Sequence, residues 1–259
     1  MKTIILAAGQ GTRLRPLTDD RPKCMVEVNG MSIIRRQLEV MKECGIKEED
    51  ITVIGGYKVD VLRKELVDTQ VTVIKNEQFE TTNMVCSLMC AREIMEKEQD
   101  ILISYGDIMY SAEVLRKVLD SQSDASVIVD DGWESYWRRR NDNPLDDAET
   151  LMFDQDDYLL EIGQKTDDIK KVMSQYIGLM RFRNAGLKAV LDTATEAQKR
   201  SDNGIELWRT TRNYAKMYMT DLLQGMIDEK YKLKAVHINR GWYEVDDVED
   251  LHLVEEELR

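Results

Sequence analysis

The chain has 259 residues, 49 Asp plus Glu against 36 Lys plus Arg, and a formal charge of −13. That acid surplus argues against a protein that coats nucleic acid or anionic lipid, and no apolar run approaches the ~20 residues needed to span a bilayer. Two histidines exclude a multi-His metal site, and four cysteines without a Cys-x-x-Cys pair point to free thiols in a reducing cytoplasm.

In chain order, apolar runs at 3–8, 51–55, 71–74, 101–104 and 125–129 read as strands. The apolar stretch at the N-terminus is too short for a signal peptide and Gly-Gln-Gly-Thr-Arg follows it directly, so none is expected. Helical spacing predicts helices at 32–44, 58–67, 84–96 and 112–119. Ser32 and Asn83 are the expected N-caps, and Gly45 is expected to end the first helix in the left-handed conformation. Continuous apolar strands alternating with helices imply an α/β fold: a doubly wound, mostly parallel, Rossmann-like sheet. Residues 131–170 lose this periodicity and are expected to form an inserted flap that binds a substrate. A strand at 175–182, helices at about 185–199 and 214–229, a strand at 233–238 and a helix from about 247 follow. One domain is expected over 1–259, with parts 1–130, 131–240 and 241–259, and no internal repeat.

The strongest local signal is Leu6-Ala7-Ala8-Gly9-Gln10-Gly11-Thr12-Arg13-Leu14, directly after the first strand. Glycines there let the backbone approach an anion and aim N–H groups at phosphate oxygens, and Arg13 adds a forked donor. The dinucleotide fingerprint fails because Leu14 stands at its last glycine, and the P-loop fails for want of Gly-Lys-Ser/Thr. By itself the pattern also fits a tight turn with a solvated Arg.

The whole stretch LAAGQGTRLRPLTDDRPKCMVEVNG, residues 6–30, resembles the nucleotidyltransferase superfamily, with the glycine loop, Arg13 and Lys23 at matching spacing. Asp146-Asp147-Ala148-Glu149-Thr150, Glu161-Ile162-Gly163-Gln164-Lys165, Gln175-Tyr176-Ile177-Gly178-Leu179 and Tyr243-Glu244-Val245-Asp246 look like its phosphocholine cytidylyltransferase branch. The resemblance implies CTP as donor, a small phosphorylated acceptor, Mg²⁺ as cofactor and diphosphate as leaving group. Its rivals are a sugar 1-phosphate nucleotidyltransferase and a catalytically silent nucleotide-binding scaffold. No nucleic acid or membrane partner is expected, and a homodimer is compatible with the sequence.

A phosphomonoester has its second pKa near ~6, so the attacking oxygen is already mostly ionised and no general base is needed. Positioning and charge neutralisation are needed instead. The resemblance assigns Lys23 and Arg13 to the transition-state charge, and Leu6, Ala8, Gly9, Gly11, Thr12, Asn83 and Gly106 to the nucleotide. Asp107 stands after a strand, where open α/β sheets bind ligands, although a turn or cap residue would stand there too. Glu244 and Asp246 are two apart, so in extended chain both carboxylates face one side. The expected metal ligands are Asp107 and Asp246, with Glu244 as third ligand or outer support; a helix cap at Asp246 or Asp247 is the alternative.

For the acceptor, Trp133 and Trp137 share a helical face and, with Tyr176, Trp242 or Tyr243, are able to cage a quaternary ammonium; a packed apolar cluster is the alternative. Arg139 and Arg140 are the expected partners of the acceptor's phosphate or carboxylate, and Lys165 of a phosphate. Phosphocholine and a phosphorylated amino acid such as phosphoglutamine fit equally. Cys24, beside Lys23, is expected to be open to thiol reagents. The charge is also uneven: residues 1–23 carry five basic and two acidic groups, residues 241–259 one basic and eight acidic. The glycine loop is thus locally basic and the final segment supplies carboxylates.

Overall fold

Every apolar run expected to be a strand enters one central sheet in the computed structural model, which describes residues 1–258. In chain order the strands are β1 (Lys2–Ala7), β2 (Glu27–Val28), β3 (Met31–Ser32), β4 (Ile51–Gly55), β5 (Thr72–Lys75), β6 (Asp100–Tyr105) and β7 (Ile108–Tyr110). They continue with β8 (Ala125–Asp130), β9 (Glu149–Phe153), β10 (Leu159–Lys165), β11 (Gln175–Arg183), β12 (Lys234–Ile238) and β13 (Trp242–Glu244). The helices are α1 (Ile33–Glu43), α2 (Val59–Glu65), α3 (Met84–Met89), α4 (Arg92–Lys97), α5 (Ala112–Asp120), α6 (Trp133–Arg140), α7 (Asn184–Asp202), α8 (Met219–Asp228) and α9 (Val248–Glu257).

The seven-stranded sheet runs β12-β8-β11-β6-β1-β4-β5 and is parallel except where β11 lies antiparallel between β8 and β6. Strands buried on both faces, such as β4 and β8, need helices on both. One face carries α1, α2 and α5 through residues such as Ile34, Leu62 and Leu115. The other carries α3, α4, α7 and α8 through Leu88, Met95, Val190 and Leu222. Each such side chain contributes about 1.5–3 kcal/mol of burial. Among the described residues, no helix is long and apolar enough to cross a membrane.

Several expectations change. The helix expected at 84–96 breaks in two, because the amides of Cys90 and Ala91 bond to Ser87 and Leu88, tightening the turn without any Gly or Pro to announce it. Gly45 does end α1 with φ +82°, but the Ser32 hydroxyl makes no cap and instead lies 3.4 Å from Glu65. Residues 131–170, where periodicity is lost in the sequence, contain α6 and the hairpin β9–β10, and that hairpin is tied to α8 by Ile162 N–H donating to Gln224 at 2.9 Å. Strands β11 and β12 also fall within 131–240, so the central sheet runs unbroken across the expected boundary at 130.

Gly178 interrupts the β11–β8 register with φ +84°, and a Cβ there would sit 2.5 Å from the Tyr105 ring. Gly178→Ala is therefore expected to cost about 1–3 kcal/mol, read as a lower urea midpoint at unchanged slope.

Candidate active site

The chain leaves β1 at its C-terminal end and turns through Gly9 and Gly11 into a short helical turn, Thr12–Leu14. Leu14 is fully buried and anchors the turn, while Thr12 and Arg13 stay exposed. Gly11 has φ +64°, and a Cβ at this position would come within 2.9 Å of Lys23 Cβ. Glycine thus lets Lys23 pack beneath the loop, and Thr18 closes the loop by donating to Gly11 O at 2.7 Å.

Asp107 lies in the turn between β6 and β7. Strand β13 pairs antiparallel with β7, placing Glu244 opposite Ile108, and Val245 N–H donates to Asp107 O at 3.2 Å. β13 is itself anchored to the central sheet, because the Trp242 indole N–H donates to Asp130, at the end of β8, at 2.8 Å. One carboxylate oxygen from each of Asp107, Glu244 and Asp246 lies within 4.8 Å of the other two. Asp247 takes the cap of α9, accepting from Asp250 N–H at 2.9 Å, which leaves Asp246 to the site.

Lys23 Nζ bridges Asp107 Oδ2, at 2.7 Å, and Asp246 Oδ1; Arg13 pairs with Asp246 Oδ2 at 2.9 Å. Burial disfavours the Lys23 charge, but Asp107, Asp246 and Glu244 outweigh it and raise its pKa. Burial also opposes ionisation of Asp246, yet Lys23, Arg13 and Arg140 hold it below the usual carboxylate range. Glu244 is pushed up to about 8 by burial and by the charges of Asp246 and Asp107, which outweigh Arg140. Asp107 Oδ1 is buried with no hydrogen-bond partner among the described residues. A crowded set of hard oxygen donors with one buried oxygen unpaired fits a divalent cation of the Mg²⁺ type.

Beside this cluster opens a cleft lined by Leu6, Ala8, Gly9, Phe79, Asn83 and Asp107, among others. Asn83 caps α3, its Oδ1 accepting from Met84 N–H at 2.9 Å, so its amide nitrogen remains the group available to a base. Gly106 is packed against β1 and spends its N–H on Leu6 O at 2.9 Å, which leaves it no free backbone donor for phosphate.

The expected acceptor residues do not converge. Trp133, Trp137 and Trp242 are 4%, 4% and 1% exposed and pack edge to face with Tyr136 or one another. Their ring faces are covered, so they form an apolar cluster and not a cage. Tyr176 belongs to the opposite layer of the core, edge-on to Tyr105 at 5.7 Å. Arg139 is turned to Glu257. Arg140 is turned inward, donating to Glu244 and Asp250. Lys165 remains exposed, donating to the carbonyls of Asp146 and Asp147 at 3.2 and 3.3 Å. Cys24 is buried and its thiol is pushed up to about 12 by burial, which removes the expected reactivity. Tyr136 and Asp250 join the site without having been expected; the only hint was the four-residue spacing from Asp246 to Asp250 across a helix start.

Residues 3–156 match the family described as the MobA-like NTP transferase domain. The chain is 37% identical to CTP:phosphoglutamine cytidylyltransferase of Campylobacter jejuni over 258 residues, 98% of both chains. It is 42% identical to choline-phosphate cytidylyltransferase of Streptococcus pneumoniae over 96 residues, 36% of this chain and 40% of that one. The solved CTP:phosphocholine cytidylyltransferase of Streptococcus pneumoniae shares the fold with a TM-score of 0.72 at 21% identity, covering 100% of this chain and 99% of that one. The chain belongs to the MobA-like nucleotidyltransferase family and is an enzyme of that class. Within it, a curated relative similar over 98% of this chain is a cytidylyltransferase.

Proposed function

We propose that this enzyme transfers CMP from CTP to a small phosphorylated amino acid, such as phosphoglutamine, and releases diphosphate. The observation that carries the reading is the meeting of Lys23, Asp107, Glu244 and Asp246 beside the glycine-loop cleft. The whole-length likeness to the phosphoglutamine enzyme supports the acceptor class. The covered faces of Trp133, Trp137 and Trp242 remove the main argument for a quaternary ammonium.

Asp107, Asp246 and Glu244 would hold Mg²⁺, which when bound supplies positive charge against the triphosphate. The glycine loop offers backbone N–H groups to phosphate oxygens. Lys23 exchanges its carboxylate partners for the α-phosphate, and Arg13, more exposed, takes an outer phosphate oxygen. The acceptor's ionised phosphate oxygen forms the new bond to the α-phosphorus. The bond from that phosphorus to its bridging oxygen breaks, and the electron pair leaves with diphosphate. Asn83 meets the base through its amide donors, which suit the acceptor atoms O2 and N3 of cytosine. Four free cysteines suit a cytoplasmic reaction.

The test is diphosphate release from each of the four ribonucleoside triphosphates and dTTP with Mg²⁺ and a panel of phosphorylated acceptors: phosphoglutamine, phosphocholine and sugar 1-phosphates. CTP with phosphoglutamine is expected to give the largest kcat/KM. Release only from UTP or dTTP with a sugar 1-phosphate overturns the reading in favour of a sugar nucleotidyltransferase; CTP binding without turnover on any acceptor favours a scaffold.

A further inference from the structure

Arg140, at the end of α6, is the most buried cation of the site: its side chain is 5% exposed, against 14% for Lys23 and 63% for Arg13. Nε and Nη2 donate to the two oxygens of Asp250 at 2.7 and 2.8 Å, and Nη1 donates to Glu244 Oε2 at 3.0 Å. Nη2 also lies 3.5 Å from Asp246 Oδ2. The guanidinium rests 5.3 Å from the ring centres of both Tyr136 and Trp137, which fix its plane. One turn earlier on α6, the Tyr136 hydroxyl accepts from Glu244 N–H and donates to Glu244 C=O, both at 3.2 Å. Asp250 in turn accepts from Asp246 N–H at 3.0 Å.

From α6 and from the Asp250 that Arg140 grips, Glu244 and Asp246 are therefore each held by backbone and by carboxylate, beside the ties of Asp246 to Lys23 and Arg13 and of Glu244 to β7. We infer that α6 is a positioning clamp: Arg140, with Tyr136 and Asp250, sets the geometry in which Glu244 and Asp246 receive a divalent cation, and so sets the enzyme's metal affinity. The inference rests on the reading of Asp107, Glu244 and Asp246 as metal ligands. Arg140 is a positioning residue, not a catalytic one. Its planar fork spans two carboxylates at once, which a lysine ammonium does not reproduce.

The competing role, simple charge neutralisation, predicts the opposite sign. A cation beside a cation site repels the metal, so if Arg140 were only a counter-charge, Arg140→Gln would tighten metal binding and Arg140→Lys would leave it unchanged. For a clamp both substitutions weaken it, by about 10–100-fold, the usual cost of removing a group that orients a metal ligand. The experiment titrates the full chain with Mn²⁺, without CTP or acceptor, following loss of the free-ion EPR signal beside a thermal melt. R140K and R140Q are expected to bind Mn²⁺ at least tenfold more weakly. The Mg²⁺ concentration for half-maximal turnover of R140K should rise in parallel, and excess Mg²⁺ should restore its kcat with the KM for CTP unchanged. Tyr136→Phe removes only the hydroxyl and is expected to weaken Mn²⁺ binding several-fold; it decides the matter if the Arg140 variants do not fold. Unchanged or tighter Mn²⁺ binding in folded R140K and R140Q, or in Y136F where it alone folds, overturns the clamp. Because Mn²⁺ binding is read without substrates, this result stands apart from which nucleotide and acceptor the enzyme uses.

Discussion

Asp107→Ala is expected to lower turnover at least about a thousandfold while the protein stays folded. The side chain holds two unlike positions: Oδ2 accepts from Lys23 at 2.7 Å, and Oδ1 is buried without a partner. Its loss takes a donor from the cation site and one of two anchors from Lys23 together. Removing a single preorganised charge-stabilising group costs about 10²–10³ in rate, and here two such functions go at once. A thousandfold loss corresponds to about 4 kcal/mol of transition-state stabilisation. Folding is spared for a specific reason. The tie from Asp107 to β13 runs through its backbone carbonyl and Val245 N–H, which alanine keeps. The side chain removed is partly exposed and leaves no apolar cavity. The check is diphosphate release at saturating CTP and acceptor, paired with a thermal melt. Turnover within tenfold of the unsubstituted enzyme, with melting unchanged, would mean that this carboxylate is no metal ligand.

How far the sequence reveals such a site depends on whether its parts are near in the chain. The glycine loop and Lys23 lie within one 25-residue stretch, so their spacing carries the resemblance. Asp107 is legible as a carboxylate just past an apolar strand, and Glu244 with Asp246 by alternation. What joins them is not legible: β7 and β13 are three residues each, too short to show a period, and their register is set more than a hundred residues apart. The tryptophans show the same limit from the other side. A spacing of four correctly places Trp133 and Trp137 on one helical face but is silent about what covers it; the cover is Tyr136 with Trp242, from β13. In the run Arg138-Arg139-Arg140, successive side chains point apart, and only the third turns inward to carboxylates from β13 and α9. That choice is made by tertiary packing, so Arg140, expected at the acceptor, instead pairs with Glu244 and Asp250.

Lys23→Met should move turnover and metal binding in opposite directions. Lys23 bridges Asp107 and Asp246, two of the carboxylates that would hold a divalent cation, so in the metal-free protein the ammonium competes for them. Replacing it with an uncharged chain of similar length removes that competition, and Mn²⁺ is expected to bind severalfold more tightly. Without metal, two partly buried carboxylates lose their shared cation. Breaking a fully buried pair costs about 3–5 kcal/mol, but these side chains are 14–26% exposed and Arg13 and Arg140 still face Asp246, so about 1–3 kcal/mol is expected. Saturating Mg²⁺ should recover much of that loss, since it binds the folded state. Turnover should not recover: the charge that Lys23 brings to the α-phosphate is absent whatever the metal concentration, and kcat is expected to remain about 10²–10³-fold down. The contrast with Arg140 is the informative part. Lys23 and Arg140 are both cations on carboxylates of this cluster and share Asp246, yet loss of the first should tighten metal binding and loss of the second weaken it, because one competes for the carboxylates and the other aims them. If Lys23→Met weakens Mn²⁺ binding as Arg140→Lys does, Lys23 is a brace too, and the charge opposite the α-phosphate must come from Arg13.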